Sequence, residues 1–250
     1  MPTAFITGGT KRIGRYIAKA FAEKGYDLIL HDHSDTSYRK AIKKDFPNKV
    51  DFVNANLLDP DAVHKLCDEI SHISTVPDVI IHTASLFEKD KLQDFSRDTW
   101  DKHMHIHALV PLEIMQYFSK KAENIQSTKK TSVIFLVDQR VNNPNPDFFS
   151  YTASKMLVNN LIQTSAMALC SHMRINGVSP GPTLKNTRQS QEDFDLQASM
   201  TPLAQAVSPD DIAQACLFLS ETDSITGQII TIDSGQSLDW RTEAYIKVNE

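Results

Sequence analysis

Residues 3–32 read TAFITGGTKRIGRYIAKAFAEKGYDLILHD. A short apolar run from Thr3 to Thr7 stops at Gly8-Gly9, apolar residues then return at helical spacing (Ile13, Ile17, Ala20, Phe21), and Gly25 ends the pattern. Asp27 to Asp32 resumes an extended, largely apolar run. Strand, glycine turn, helix and strand at this length predict a βαβ unit with a right-handed crossover. Glycines at such a turn let backbone amides approach a pyrophosphate, which is held by those N–H groups and the positive end of the helix dipole. Gly8, Thr10, Lys11, Arg12, Ile13 and Gly14 are therefore the expected cofactor turn, and a dinucleotide is its natural ligand. The turn departs from G-x-G-x-x-G, because Arg12 stands where a middle glycine is usual and adds a charge beside the phosphates or the substrate. Asp32, followed by His33, ends the second strand, where the adenosine ribose is met. A carboxylate there accepts hydrogen bonds from a ribose 2′-OH and repels a 2′-phosphate, which favours NAD(H) over NADP(H). The alternative for Asp32 is an ordinary surface-turn carboxylate.

Working outward, 250 residues with 41% hydrophobic content suffice for one large domain spanning 1–250, and no linker divides them. No run approaches the ~18 consecutive apolar residues of a membrane span, and MPTAFITGG enters a strand directly, not a charged-then-apolar signal. The expectation is a cytoplasmic protein without a membrane partner. Cys67, Cys170 and Cys216 each lie in an apolar helical pattern, which predicts buried thiols and not a disulfide framework or metal site. With 26 Lys and Arg against 31 Asp and Glu and no long basic run, nucleic acid is not an expected partner.

Further along, Val50 to Asn54 reads as a third strand, 59–74 as a helix, and 78–82 as a fourth strand running into Thr83-Ala84-Ser85-Leu86-Phe87. Continuous apolar strands alternating with helices predict a parallel sheet covered on both faces. Residues 97–122 read as one long helix carrying His103, His105 and His107. Side chains two apart on a helix diverge, so a shared metal site is not expected. A fifth strand, 131–137, delivers Asp138 at its carboxyl end, where open α/β sheets place ligands. A sixth, 174–178, leads to Pro180-Gly181-Pro182-Thr183 over the same sheet edge; the polar segment 185–199 follows as a candidate lid. Ser208-Pro209 caps another helix, and 227–233 supplies the last strand. Four of the eight glycines, Gly8, Gly9, Gly14 and Gly181, fall in the expected cofactor turns.

Residues 138–155, DQRVNNPNPDFFSYTASK, end in Tyr-x-x-x-Lys. If Ser150 is the N-cap of a helix, Tyr151 and Lys155 share one face a turn apart. A free phenol titrates at about 10, and an ammonium beside it favours the phenolate and brings the value closer to about 7. That is suitable for a general acid completing a hydride transfer.

Thr7-Gly8-x-x-x-x-x-Gly14, Tyr151-x-x-x-Lys155, Arg174-Ile175-Asn176-x-x-x-Pro180-Gly181, and Thr226-Gly227-Gln228 with Asp233-Ser234-Gly235 occur in this order. Together they resemble the short-chain dehydrogenase/reductase family over nearly the full length. The resemblance implies an α/β fold, a single Rossmann-type doubly wound sheet of about seven parallel strands. It also implies a nicotinamide cofactor, Tyr151 as proton donor, Lys155 on the nicotinamide ribose, and a homotetramer built from the long helices and the C-terminal strand. Asp138 in place of the usual serine, Arg12 in place of glycine, and Thr83-Ala84-Ser85 in place of Asn-Ala-Gly resemble the pteridine reductase branch, which includes dihydromonapterin reductases. There the aspartate partners the tyrosine, and the arginine, Ser85, Gly181 and an aromatic at Phe87 meet a pterin. His107 falls where the wider family keeps an active-site asparagine, and a neutral imidazole there would hold a proton-relay water. Asn56, beside Leu57, stands where an aspartate usually meets the adenine amine. That branch uses NADPH with a basic residue just past the second strand, whereas this chain offers Asp32, His33 and Ser34, so NADP(H) and NAD(H) both stay open. A carbonyl reductase and a non-catalytic dinucleotide-binding sensor are the alternatives. Phe87 with Asp138 speaks against the first, and retention of Tyr151 and Lys155 speaks against the second.

Overall fold

Seven strands, β1 (Thr3–Thr7), β2 (Asp27–Asp32), β3 (Val50–Asn54), β4 (Val79–His82), β5 (Thr131–Leu136), β6 (Met173–Pro180) and β7 (Ile229–Ile232), form one parallel sheet in the order β3-β2-β1-β4-β5-β6-β7. The computed structural model describes residues 1–33, 37–46, 48–125 and 129–238, which leaves Ser34 outside the described residues. Strand order reverses between β1 and β4, and a crevice opens at the carboxyl ends there.

Both faces of the strands are apolar because both are covered. On β1, Ala4 and Ile6 pack with α1 (Arg12–Glu23), α2 (Tyr38–Asp45) and α8 (Pro209–Glu221), while Phe5 points to the other side. There it joins α3 (Ala62–Ile73), α5 (Val110–Ala122) and α6 (Phe149–Ala168). Phe5, Phe21 and Phe118 are fully buried, each contributing about 1.5–3 kcal/mol of hydrophobic stabilisation. Helix α2 is absent from the sequence reading: its single buried residue, Ile42, gives no apolar period to follow. Cys67 and Cys216 are buried as expected, and burial raises both thiols to about 12. Cys170 is exposed, because it lies past the end of α6.

The single helix expected over 97–122 is three segments: α4 (Arg97–Met104), a π-helical turn (His105–Leu109), and α5. Pro111 in the first turn of α5 has no N–H for the preceding carbonyls, and the wide turn absorbs that break. His103 and His107 stack at 5.6 Å beside α6. Leu109, Leu157 and Met167 stay exposed within the chain.

Ser150 is not the N-cap of α6. Phe148 holds that place in the left-handed conformation (φ 58), a strain of roughly 1–3 kcal/mol for a bulky residue. The cap comes from Asp90: its carbonyl accepts from the Phe149 N–H (3.2 Å), and its carboxylate accepts from the Ser150 N–H (3.1 Å) and hydroxyl. Helix α7 (Gln191–Ser199) carries a Ser190/Asp193 capping box. No described helix is long and apolar enough to cross a membrane.

Candidate active site

A cavity of about 690 Å³ lies over the carboxyl ends of the central strands. Of the residues expected to meet cofactor or substrate, all except His107 line it.

At one end is the glycine turn. Gly8 has φ +64, and a Cβ on Gly14 would sit 2.3 Å from the Gly8 oxygen and 2.8 Å from Thr83 Oγ1, so only glycine lets α1 begin this close to β1. The Gly8 N–H donates to His31 Nδ1 (3.2 Å), which leaves Nε2–H to donate to the Ala55 carbonyl (3.0 Å). Burial lowers the His31 pKa, and the sequence reading missed this neutral clamp. Thr83 and Ala84 donate their N–H groups to Thr7 Oγ1 (3.1 Å each), strapping the loop after β4 to β1. Arg12 (φ 49) sends its guanidinium to the carbonyls of Leu184 and Lys185 (3.0 Å each) and so tethers the loop after β6 over the cavity.

Asp32 is not available as a free carboxylate, and this corrects the sequence reading. Arg39 of α2 grips it with Nε–Oδ2 at 2.8 Å and Nη2–Oδ1 at 2.7 Å, and Asn54 Nδ2 donates to Oδ1 at 2.7 Å. The Asp32 side chain is 2% exposed. Burial opposes its charge, but the Arg39 and Asn54 hydrogen bonds outweigh that and hold the carboxyl below its usual range. The repulsion argument for NAD(H) loses its premise, because a guanidinium neutralises the carboxylate. The signal that points to Arg39 is the basic run opening the unread helix, Arg39-Lys40. Asn56 Oδ1 accepts from the Leu58 N–H (3.1 Å), so one of its two lone pairs is used locally.

At the other end, Tyr151 Oη donates to Asp138 Oδ2 at 2.8 Å. Asp138 Oδ1 accepts from the Arg140 N–H (2.9 Å), capping a short helical turn, Gln139–Val141, while Arg140 Nη1 lies 3.3 and 3.4 Å from the two oxygens. Lys155 Nζ donates to the Leu136 carbonyl (2.7 Å) and lies 5.7 Å from the Tyr151 ring centre. The tuning runs opposite to the expectation from Tyr-x-x-x-Lys alone. Burial first, then the charge and hydrogen bond of Asp138, push the Tyr151 phenol well above its ordinary value. Burial lowers Lys155 to about 8 against the attraction of Asp138. The proton stays on the phenol, and the ammonium is the group that titrates near neutral pH.

His107 is buried one layer behind the cavity, on a small void that Leu136 and Lys155 also line. Its Nε2 accepts from the Leu86 N–H (3.2 Å) and meets Ser85 Oγ (2.9 Å), and its Nδ1 donates to Ser154 Oγ (2.8 Å). Burial, with Lys155 and His103 nearby, keeps it neutral. These bonds tie it to Ser85 and to the helix bearing Tyr151. His103 repeats the pattern, taking the Glu88 N–H (3.4 Å) and bonding Ser150 Oγ (2.7 Å), which continues to Asp90. Asp90 and His103 have no motif in sequence, since they join loop, helix and helix only in space.

Phe87 stacks on Phe148 at 4.2 Å and meets Tyr151 edge-on at 4.7 Å. Within 185–199, Arg188 donates to the Phe87 carbonyl, and Arg188, Gln189, Phe194 and Gln197 line the cavity, so the segment lies across its mouth.

The family profile described as enoyl-(acyl carrier protein) reductase matches residues 8–237. The FolM alternative dihydrofolate reductase 1 of Brucella canis, solved with NADP, superposes with a TM-score of 0.88 at 32% identity over 97% of each chain. The 3-oxoacyl-[acyl-carrier-protein] reductase FabG of Thermotoga maritima is 26% identical over 92% of this chain and 95% of its own. Pteridine reductase 1 of Leishmania tarentolae is 24% identical over 95% and 96%. The glycine turn, the Asp138–Tyr151–Lys155 cluster and this full-length match make the chain an NAD(P)H-dependent oxidoreductase that belongs to the short-chain dehydrogenase/reductase family and resembles its pteridine reductase branch.

Proposed function

We propose that this protein reduces a ring C=N bond of a dihydropterin, with Tyr151 as the proton donor. The observation that carries the reading is the Tyr151 Oη–Asp138 Oδ2 hydrogen bond beside Phe87, since a flat polar heterocycle uses both an aromatic face and a carboxylate, and an aliphatic ketone needs neither. The cavity volume and the glycine cradle at Gly8 and Gly14 fit a nicotinamide dinucleotide. When bound, that cofactor supplies the hydride. Tyr151 Oη gives the proton to the ring nitrogen, and the Lys155 ammonium stabilises the phenolate left behind. Asp138 orients the hydroxyl and accepts hydrogen bonds from the amino edge of the heterocycle.

Steady-state rates with a dihydropterin, dihydrofolate, an acetoacetyl thioester and a simple ketone test this reading. The expected order places a dihydropterin or dihydrofolate first in kcat/KM; a thioester reduced faster than either refutes it and favours the 3-oxoacyl chemistry of the Thermotoga relative.

The neutralised Asp32 supports NADP(H) as an accepted cofactor, with Arg39, bonded to Asp32, as a cation at that end of the cavity. Fluorescence titration should show Arg39→Ala shifting the NADPH to NADH affinity ratio toward NADH by roughly tenfold or more, the loss of a charged hydrogen bond. An unchanged ratio removes Arg39 from cofactor selection.

A further inference from the structure

We propose that Arg140 and Arg188 form an anion subsite at the cavity mouth, which holds a carboxylate or phosphate on the side chain of the heterocyclic substrate. The inference rests on the dihydropterin reading and adds a side-chain specificity to it.

The argument starts with the stacked pair Phe87 and Phe148, whose ring centres are 4.2 Å apart and whose planes differ by 6°. The Arg140 Cζ is 5.5 and 5.4 Å from those two centres, and the Arg188 Cζ is 5.5 and 5.8 Å from them. A point almost equidistant from two stacked rings lies beside the stack and over neither outer face. Ring edges carry the positive end of the quadrupole, so these guanidiniums gain little from cation–π attraction. They flank the aromatics beside the stack, and Arg140 pairs only loosely with Asp138, at 3.3 Å.

Neither arginine has a strong carboxylate partner. The Arg140 Nη1 contacts to Asp138 (3.3 and 3.4 Å) exceed the roughly 2.7–2.9 Å of a charge-assisted bond, and Arg140 Nε is buried without a partner. The bond from Arg188 goes to the Phe87 carbonyl, and no described carboxylate pairs with it. Around this end of the cavity the lining includes the amides Gln189, Gln197 and Gln236, and among the described residues Asp138 is the sole acidic lining residue apart from Asp32 at the adenosine end. Asp138 is already engaged by Tyr151. Two guanidiniums from separate elements, the turn after β5 and the loop before α7, therefore face one described carboxylate at this end. The cofactor phosphates belong to the glycine turn and do not meet this need. Phe87 is edge-on to Tyr151, so the arginines stand one ring beyond the proton donor, where a substituent of a ring reacting at Tyr151 emerges.

The test compares three dihydropterins with the same reducible ring: one with a neutral hydroxylated side chain, one with that side chain phosphorylated, and one with a p-aminobenzoyl-glutamate tail. KM, kcat and equilibrium affinity with oxidised cofactor present are measured for the unmodified protein, Arg188→Gln, Arg188→Lys and Arg140→Gln. The subsite predicts that Arg188→Gln and Arg140→Gln weaken at least one anionic substrate about tenfold or more relative to the neutral one, and that Arg188→Lys recovers part of the loss. It also predicts that added salt raises KM for the anionic substrate selectively. The tail with the larger loss identifies the anion. Equal changes for neutral and anionic substrates, while all are still reduced, overturn the subsite and leave the dihydropterin reading standing. No reduction of any of the three overturns both.

Discussion

Tyr151→Phe loses about 10²–10⁴-fold in turnover while dinucleotide affinity stays near that of the unmodified protein. The substitution removes one oxygen and keeps the ring, so the edge-on contact with Phe87 at 4.7 Å and the packing against His107 at 5.3 Å persist. Lys155 keeps its own anchor on the Leu136 carbonyl and does not depend on the phenol for its position. Asp138 loses the Tyr151 hydrogen but keeps the Arg140 N–H, so no buried carboxylate is left bare. What disappears is the proton source. Because burial and Asp138 hold the phenol far above neutral, the unmodified enzyme keeps that proton across the working range. The alkaline limb of kcat/KM belongs to Lys155, whose charge is present below about 8 and lost as the pH rises through it. Near-normal turnover in Tyr151→Phe, with the cofactor bound, rules out the phenol as donor.

The doubly wound sheet is legible in sequence because most strands, such as β1, β4 and β5, are short apolar runs ended by a turn signal, and the glycines stand only where the backbone demands them. The cavity lining is legible for a related reason: the ends of parallel strands gather on one edge, so Asp32, Asp138 and Gly181 converge without any knowledge of side-chain contacts. Direction of charge tuning is not legible. The motif Tyr-x-x-x-Lys shows two residues on one face, but the sign of the shift depends on burial and on Asp138, reached across a loop. The same holds for Asp32, whose partner Arg39 sits on a short polar helix with no apolar period. The capping of α6 by Asp90, the paired histidines, and the arginines around Phe87 and Phe148 are all contacts between segments distant in sequence.

Asp138→Ser should separate the dihydropterin reading from ordinary ketone reduction. Asp138 caps the turn Gln139–Val141 through the Arg140 N–H, and serine is an equally good cap, so the local backbone should persist. A serine hydroxyl also still reaches toward Tyr151, as in most of the family that this chain resembles. The lost element is the negative charge that accepts the amino edge of a pterin, which corresponds to about 1.5–3 kcal/mol, or roughly 10–10²-fold in kcat/KM. The decisive measurement is therefore kcat/KM for a dihydropterin and for a simple ketone, in the unmodified protein and in Asp138→Ser. The expected result is a selective fall for the dihydropterin, with ketone turnover kept or improved; equal dihydropterin reduction by the serine variant, or none by the unmodified protein, contradicts the assignment.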